Sequence, residues 1–230
     1  MKYLGKIVKA KFINRENRFI AKVDIDGKIE SVHVKNTGRC KEILIKDATV
    51  YLEESTNPNR KTKYSLVAVQ KNDLLINIDS QAPNKVVYDG ILNKKVKELE
   101  DIIILKKERT YGNSRFDLYY ETKDKKGFIE IKGVTLENNS HCTFPDAPTT
   151  RGTKHVRELA LAQQEGYINY IFFLIQFNGA KDFEANKEID LEFSEMLLKS
   201  QKAGVKILCY DSIVDESGLV INKKIESKVF

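Results

Sequence analysis

The chain has 230 residues, 41% hydrophobic and 31% charged, which is enough apolar material for one large or two small cores. No apolar run approaches the ~20 residues that a membrane-spanning helix needs. The start, MKYLGKIVKAKF, sets a lysine every few positions and lacks an apolar stretch with a small-residue cleavage site. These features exclude a membrane protein and a disulfide-rich secreted one, and the expectation is a cytoplasmic protein. Cys40, Cys142 and Cys209 are odd in number and far apart, which argues against a disulfide framework or a zinc module. His141 beside Cys142 has no second ligand pair to complete a metal site.

The net charge of +6 is unevenly placed. Residues 1–80 hold 16 Lys and Arg against 10 Asp and Glu, whereas residues 81–230 hold 23 of each. A basic excess confined to the first third suits a phosphate-binding face; ordinary solubilising lysines are the plainer alternative.

From Tyr3 to Asp79 the period is two. YLGKIVKAKFI, RFIAKVDI, KIESVHVK, TVYLEE and YSLVAVQ are five strand-like runs, separated by turn signals at Asn14–Asn17, Asp26–Gly27, Asn36–Gly38 and Asn57–Asn59. Residues 1–82 therefore read as a small Greek-key barrel, OB-fold-like, with an SH3-like barrel as the alternative. Two of its loops carry candidate phosphate contacts: Arg39 in NTGRC, and Arg60, Lys61 and Lys63 in NPNRKTKY. Arg18, with Lys22 and Phe19, extends the track on a neighbouring strand.

Residues 83–230 read as a second domain of α/β type. Gln81–Gly90, containing Pro83, reads as the connector, and a helix is expected over Tyr88–Glu100 from the stripe Ile91, Leu92, Val96 and Leu99. DIIILKKERTY is a strand, and Ser114–Gly133 is a hairpin turning at Thr122–Gly127. A helix opens at Thr149–Gly152, turns Val156, Leu159, Ala160 and Ala162 inward, and ends near Gly166. Tyr167–Phe177 is apolar enough for a strand buried on both faces, Ile189–Ala203 is an amphipathic helix stopped by Gly204, and VKILCY is the last strand. The order is α-β-β-β-α-β-α-β.

The hairpin carries acid where a core strand should not. Alternation puts Phe128, Glu130 and Lys132 opposite Ile129 and Ile131, and Arg115, Asp117 and Tyr119 opposite Phe116 and Leu118. Asp117 and Glu130 can then meet, and two carboxylates that close repel unless a cation such as Mg²⁺ or Mn²⁺ sits between them. The carbonyl of Ile131 and the carboxylate of Glu108 are candidate further ligands, with Glu98 a rival for the latter. Lys132 would stabilise charge on an attacking water or a phosphate oxygen. Asp146 lies just ahead of the following helix, on which Arg151, His155 and Glu158 share one face. Arg115, Arg151 and His155 are candidates to position phosphate. A salt-bridged surface hairpin remains the alternative.

Asp117 with Glu130-Ile131-Lys132, on the second and third strands of an αβββαβ order, resembles the PD-(D/E)xK nuclease core. At greater length the chain resembles the sugar fermentation stimulation protein A family of bacteria and archaea. The carrying segments are HVKNTGR, NRKTKYSL, the connector Pro83–Asn84, ERTYGNSRFDL, FIEIKGVTL, FPDAPTTRGTKHVRELA and AGVKILCY. That resemblance implies an OB-fold-like domain followed by a PD-(D/E)xK restriction-endonuclease-like one, and DNA binding without sequence specificity. A metal-dependent nuclease hydrolysing phosphodiesters is the expectation. A non-enzymatic DNA-binding regulator of sugar (maltose) metabolism and an RNA-processing nuclease remain open. No helix-turn-helix element is apparent.

Overall fold

Period-two alternation in the first eighty residues resolves into a closed ring of strands. The structure is a computed structural model that describes residues 1–36 and 38–229; Thr37, within the predicted loop Asn36–Cys40, lies outside them. Strands β1 (Ile7–Arg15), β2 (Ile20–Ile25), β3 (Lys28–Val34), β4 (Thr49–Glu54) and β5 (Tyr64–Lys71) run in the order β3-β2-β1-β4-β5, and a parallel pairing of β3 with β5 closes the ring. Inward residues such as Ala21, Val23, Val32, Val34, Val50 and Leu52 are fully buried, as closure requires. A sixth strand, β6 (Leu74–Asn77), adds to β5. Sequence alternation does not single it out, because four residues after a tight turn are too short a run to count.

The helix expected over Tyr88–Glu100 is displaced. Helix α1 spans Ala82–Leu92, and a 3-10 turn at Lys97–Leu99 is all that remains of the expected second half. Pro83 is not part of a connector. It sits in the first helical turn, where its missing N–H is no loss and its fixed φ favours the helix. The helix stops at Asn93, followed by Lys94 with φ 54°.

A meander follows, β7 (Ile104–Tyr111), β8 (Ser114–Glu121) and β9 (Lys126–Val134). After the short strands β10 (Glu137–Asn138) and β11 (His141–Phe144) come α2 (Thr150–Gln164), β12 (Tyr170–Ile175), β13 (Asp182–Ala185), α3 (Leu191–Lys202) and β14 (Lys206–Asp215). The chain goes on through β15 (Gly218–Lys224) and β16 (Glu226–Lys228), so VKILCY is not the last strand. The main sheet has the order β15-β14-β12-β9-β8-β7, with β12 parallel to both neighbours, and β10, β11, β13 and β16 form a smaller sheet.

Strand β12 explains the layering. Tyr170, Phe172 and Leu174 pack with α1, while Ile171, Phe173 and Ile175 pack with α2 and α3. All six are buried, as in a central strand covered on both faces. Among the described residues, no helix is long and apolar enough to cross a membrane.

The α2-side core continues into the barrel, and a polar clasp joins the halves beside it. Asn77 N donates to Gln176 O at 2.9 Å, Gln176 Nε2 donates to Asn77 Oδ1 at 2.7 Å, and Asn77 Nδ2 donates to the Tyr3 hydroxyl at 2.8 Å. Asn77→Ala removes the donor to the Tyr3 hydroxyl and the acceptor of Asp79 N, and leaves Gln176 Nε2 only its contact with Asp79 O; each buried polar group left short of a partner costs about 1–3 kcal/mol. The expected result is a urea midpoint lowered by the equivalent of roughly 3 kcal/mol, read by tyrosine fluorescence. An unchanged midpoint would show that the clasp contributes nothing.

Candidate active site

Strand β9 alternates as its sequence implies: Phe128 and Val134 pack on the α2 side, and Ile129 and Ile131 on the α1 side. Glu130 and Lys132 share the α2 side, and Lys132 Nζ donates to Glu130 Oε1 at 2.7 Å. Helix α2, whose N-cap Thr149 accepts a hydrogen bond from Gly152 N, brings His155 to the same oxygen, with Nδ1 at 2.5 Å. An ionised carboxylate only accepts, so Nδ1 carries the proton. Glu130 is 3% exposed, and both donors crowd onto Oε1. Its other oxygen, Oε2, is buried with no hydrogen-bond partner. Burial pushes the Glu130 carboxyl up, but Lys132 and His155 outweigh it and hold the group below the usual carboxylate range.

Strand β8 does not alternate throughout. Phe116 packs with Phe128 and His155 on the α2 side, yet Leu118, two residues on, belongs to the α1-side core. The predicted grouping of Phe116 with Leu118 on one face therefore fails, and the break falls at Asp117. The β8–β9 ladder pairs only Leu118–Glu121 with Lys126–Ile129. Beyond it the Asp117 side chain takes over: Oδ2 accepts from Ile131 N at 2.7 Å and Oδ1 from Asn84 Nδ2 of α1 at 2.7 Å. The irregularity reaches the edge strand too, where Glu108, between the pairs Lys107↔Leu118 and Arg109↔Phe116, has φ 52°. Burial first, then the negative charge of Glu130, pushes the Asp117 carboxyl up to about 6. The two carboxylates thus sit within each other's field, one raised and one lowered.

The remaining sequence candidates divide. Glu108 is exposed and pairs with Arg115 at 3.6 Å. Arg115 and Arg151 are exposed. His155, which the sequence expects to position phosphate, is 6% exposed and is turned onto Glu130. Glu158 lies beside Lys154 at 3.8 Å with Oε2 buried and unpartnered. Glu98 is bound to Tyr210 and Lys224, groups of β14 and β15 outside this cluster. Asp146 lies against the barrel loop, its Oδ2 2.8 Å from where a Cβ on Gly38 would stand. His141 pairs with Asp182 and, at 3.7 Å, with Glu184. Among the described residues no group of three or more His, Cys, Asp or Glu side chains converges to hold a metal.

Gly133, just after Lys132, has no room for a side chain. A Cβ there would lie 2.3 Å from Gln176 Oε1 and 2.8 Å from Pro83 Cγ. Close backbone approach thus packs the end of β9 against both α1 and the interdomain clasp.

On the barrel, Arg18 and Arg39 line one groove of about 500 Å³, together with Arg15, Lys41 and Lys46, which the sequence does not single out. The 57–64 loop does not join them. Arg60 is half-buried and donates to Ser65 Oγ at 2.9 Å, Lys63 pairs with Glu54 at 3.1 Å, and Lys61 is exposed.

Comparison with known proteins places both halves. Residues 13–78 match the family model described as the SfsA N-terminal OB domain, which decides for an OB barrel over an SH3-like one. Residues 81–218 match the model described as the sugar fermentation stimulation protein RE domain. A sugar fermentation stimulation protein homolog of Clostridium beijerinckii is 52% identical over 226 residues, covering 98% of this chain and 99% of its own. The homolog of Alkaliphilus oremlandii is 50% identical over 231 residues, covering 98% of each. A solved structure of Pyrococcus furiosus SfsA in complex with Ca²⁺ matches with a TM-score of 0.90 at 27% identity, over 99% of both chains. The chain belongs to the sugar fermentation stimulation protein family.

Proposed function

We propose that this protein is a divalent-cation-dependent nuclease that holds nucleic acid, chiefly DNA, without sequence specificity and hydrolyses its phosphodiester bonds. The observation that carries the reading is Glu130 Oε2, buried and unpartnered beside a second carboxylate whose own pKa is raised partly by Glu130's charge. A buried anionic oxygen left without a donor is costly, and a cation is its natural complement.

The residues present fit Mg²⁺ or Mn²⁺. Asp117 and Glu130 would hold the ion, with the carbonyl of Ile131 completing the protein's share. Mg²⁺ commonly binds through one or two carboxylates and keeps several waters, so the lack of a third carboxylate is no obstacle. The Ca²⁺ complex of the Pyrococcus furiosus relative supports a hard, oxygen-seeking ion in this fold. When bound, such an ion supplies Lewis-acid polarisation of a phosphate oxygen and acidifies a bound water.

The chain's own groups supply the rest. Lys132, 15% exposed on its side chain, keeps an ammonium at the edge of the carboxylate pair, where it orients a water and offsets charge growing on phosphate oxygens. His155 fixes the rotamer of Glu130 by holding Oε1, which leaves Oε2 for the ion. Arg115 and Arg151, both exposed, contact flanking phosphates. The succession of α1, the meander and α2, with acid on β8 and Glu-Ile-Lys on β9, resembles the PD-(D/E)xK nucleases and supports the same reading.

The test incubates the protein with end-labelled single- and double-stranded DNA and RNA in Mg²⁺, Mn²⁺ or chelator, beside Asp117→Ala. Metal-dependent cleavage that disappears in Asp117→Ala is the expected result. Binding with no cleavage in any metal would overturn it and leave a non-enzymatic nucleic-acid-binding regulator.

A further inference from the structure

We propose that the cationic groove of the barrel binds a single strand of nucleic acid, with Arg15 bracing its two walls. The inference rests on the nucleic-acid reading above and narrows it to a site and a strand form.

The groove is built by one side chain. Arg15, at the end of β1, donates Nη1 to Gly38 O at 2.6 Å and Arg39 O at 3.0 Å, and Nη2 to Arg18 O at 2.5 Å and to Asn36 O. One guanidinium thus ties the β1–β2 turn to the loop after β3. Because its donors go to backbone carbonyls, Arg15 acts as the brace. Arg18 and Arg39, whose carbonyls it holds, stand exposed on the two walls. Lys41 and Lys46, also exposed, extend the second wall. No acidic side chain among the described residues lines the groove.

The apolar part argues for a single strand. Phe12, Ile13 and Leu44 contribute apolar surface to the lining. Outside the lining but next to its residues in the chain, Phe19 is 49% exposed, its ring 5.6 Å from the Arg18 guanidinium, and Ile45 is 59% exposed between Leu44 and Lys46. A duplex keeps its bases stacked inward and offers this surface only phosphates. Unstacked bases cover apolar and aromatic groups while their phosphates meet the flanking cations. Cations interleaved with exposed apolar side chains therefore favour the single strand.

Gly38 lines both the groove and a crevice of about 160 Å³ whose other wall includes Gly133, the residue after Lys132, and Asp146, ahead of α2. The loop that carries Arg39 therefore borders the second domain near the end of β9.

The experiment measures binding of fluorescein-labelled 15-mers, as a single dT strand, a single rU strand and a DNA duplex, to the full chain in chelator, so that no cleavage intervenes. Arg18→Ala/Arg39→Ala and Lys41→Ala/Lys46→Ala change only exposed side chains and keep the test free of folding artefacts. Each pair is expected to weaken single-strand binding at least tenfold at low salt. Each should also flatten the dependence of log K on log salt by about 1.4, at about 0.7 per lost phosphate contact. Phe19→Ala is expected to weaken single strands roughly tenfold through lost stacking, with the salt slope kept and the duplex unaffected. A preference for either sugar supports the proposal. Equal loss on duplex and single strand would overturn it and make the groove a backbone contact. Unchanged single-strand binding in both double variants would overturn it while the cleavage reading stands. A wild-type chain that binds neither form would overturn the nucleic-acid reading itself.

Discussion

Lys132→Met is expected to lower metal-dependent cleavage by a factor on the order of 10²–10³, the usual effect of removing one preorganised charge from a transition state. Affinity for nucleic acid in chelator is expected to stay nearly as it was. The split follows from where the ammonium sits. Its Nζ lies 2.7 Å from Glu130 Oε1, and its side chain is 15% exposed, so it presents little surface to a bound strand. The groove cations stand on the barrel instead. Methionine keeps the length and apolar stem and removes only the charge. Lys132→Arg is expected to restore charge but not cleavage, because a planar fork does not replace a compact ammonium at a site shared with His155 Nδ1. Loss of binding in parallel with cleavage would show that Lys132 is part of the affinity surface, and the division between barrel and sheet would fail.

How far the sequence reaches depends on how local the cause is. Alternation on β9 is a property of neighbouring residues, so Glu130 and Lys132 could be put on one face without coordinates, and the all-apolar run of β12 could be read as a doubly covered strand. The break at Asp117 could not, because it arises when a side chain replaces a ladder bond to Ile131 N, fourteen residues on. The start of helix α1 is not legible in the sequence because Pro83 carries two meanings, a connector residue and a good first-turn residue, and only the packing of Ala82, Val86 and Val87 onto the sheet chooses between them. The contact of His155 with Glu130 is equally out of reach, since helical spacing says which residues align and nothing about what they face. Arg15 left no signal: a guanidinium shared by carbonyls from two separate loops has no sequence pattern. Of the barrel cations that alternation and loop position single out, Arg18 and Arg39 are the two whose carbonyls Arg15 holds, and Arg60, Lys61 and Lys63 lie outside that groove.

The two carboxylates of the site are expected to respond to neutralisation with opposite signs. Asp117 has a folded pKa of about 6 against 3.8 unfolded. Its ionised form is therefore the disfavoured one in the folded chain. The resulting deficit in stability is absent below about pH 4, grows between about pH 4 and 6, and is complete above that range. A carboxyl displaced that far corresponds to about 3 kcal/mol, reduced to about 1–3 kcal/mol because the residue is partly exposed. Asp117→Asn can still accept from Ile131 N, and Asn84 can turn its amide to present its oxygen to the new donor. The variant is expected to melt a few degrees higher than wild type at pH 8, at ~2–4 °C per kcal/mol for a chain of this size, and to lose that gain at pH 4. Glu130 is held below its ordinary pKa of 4.5 by Lys132 and His155 against the pull of burial. Its ionised form stabilises the fold at neutral pH, and that contribution fades as pH falls below the ordinary value. Glu130→Gln takes from Lys132 the carboxylate that its ammonium is bonded to in a nearly closed site, and breaking such a pair costs about 3–5 kcal/mol. Thermal melts of both variants at pH 4 and pH 8 decide the matter. Equal signs at pH 8 would mean that the carboxylates do not form one electrostatic unit. Opposite signs, with Mg²⁺ raising the melting point of wild type but not of Asp117→Asn, would mean that the chain keeps Asp117 ionised at a cost to its own stability, and that the cation removes that cost on binding.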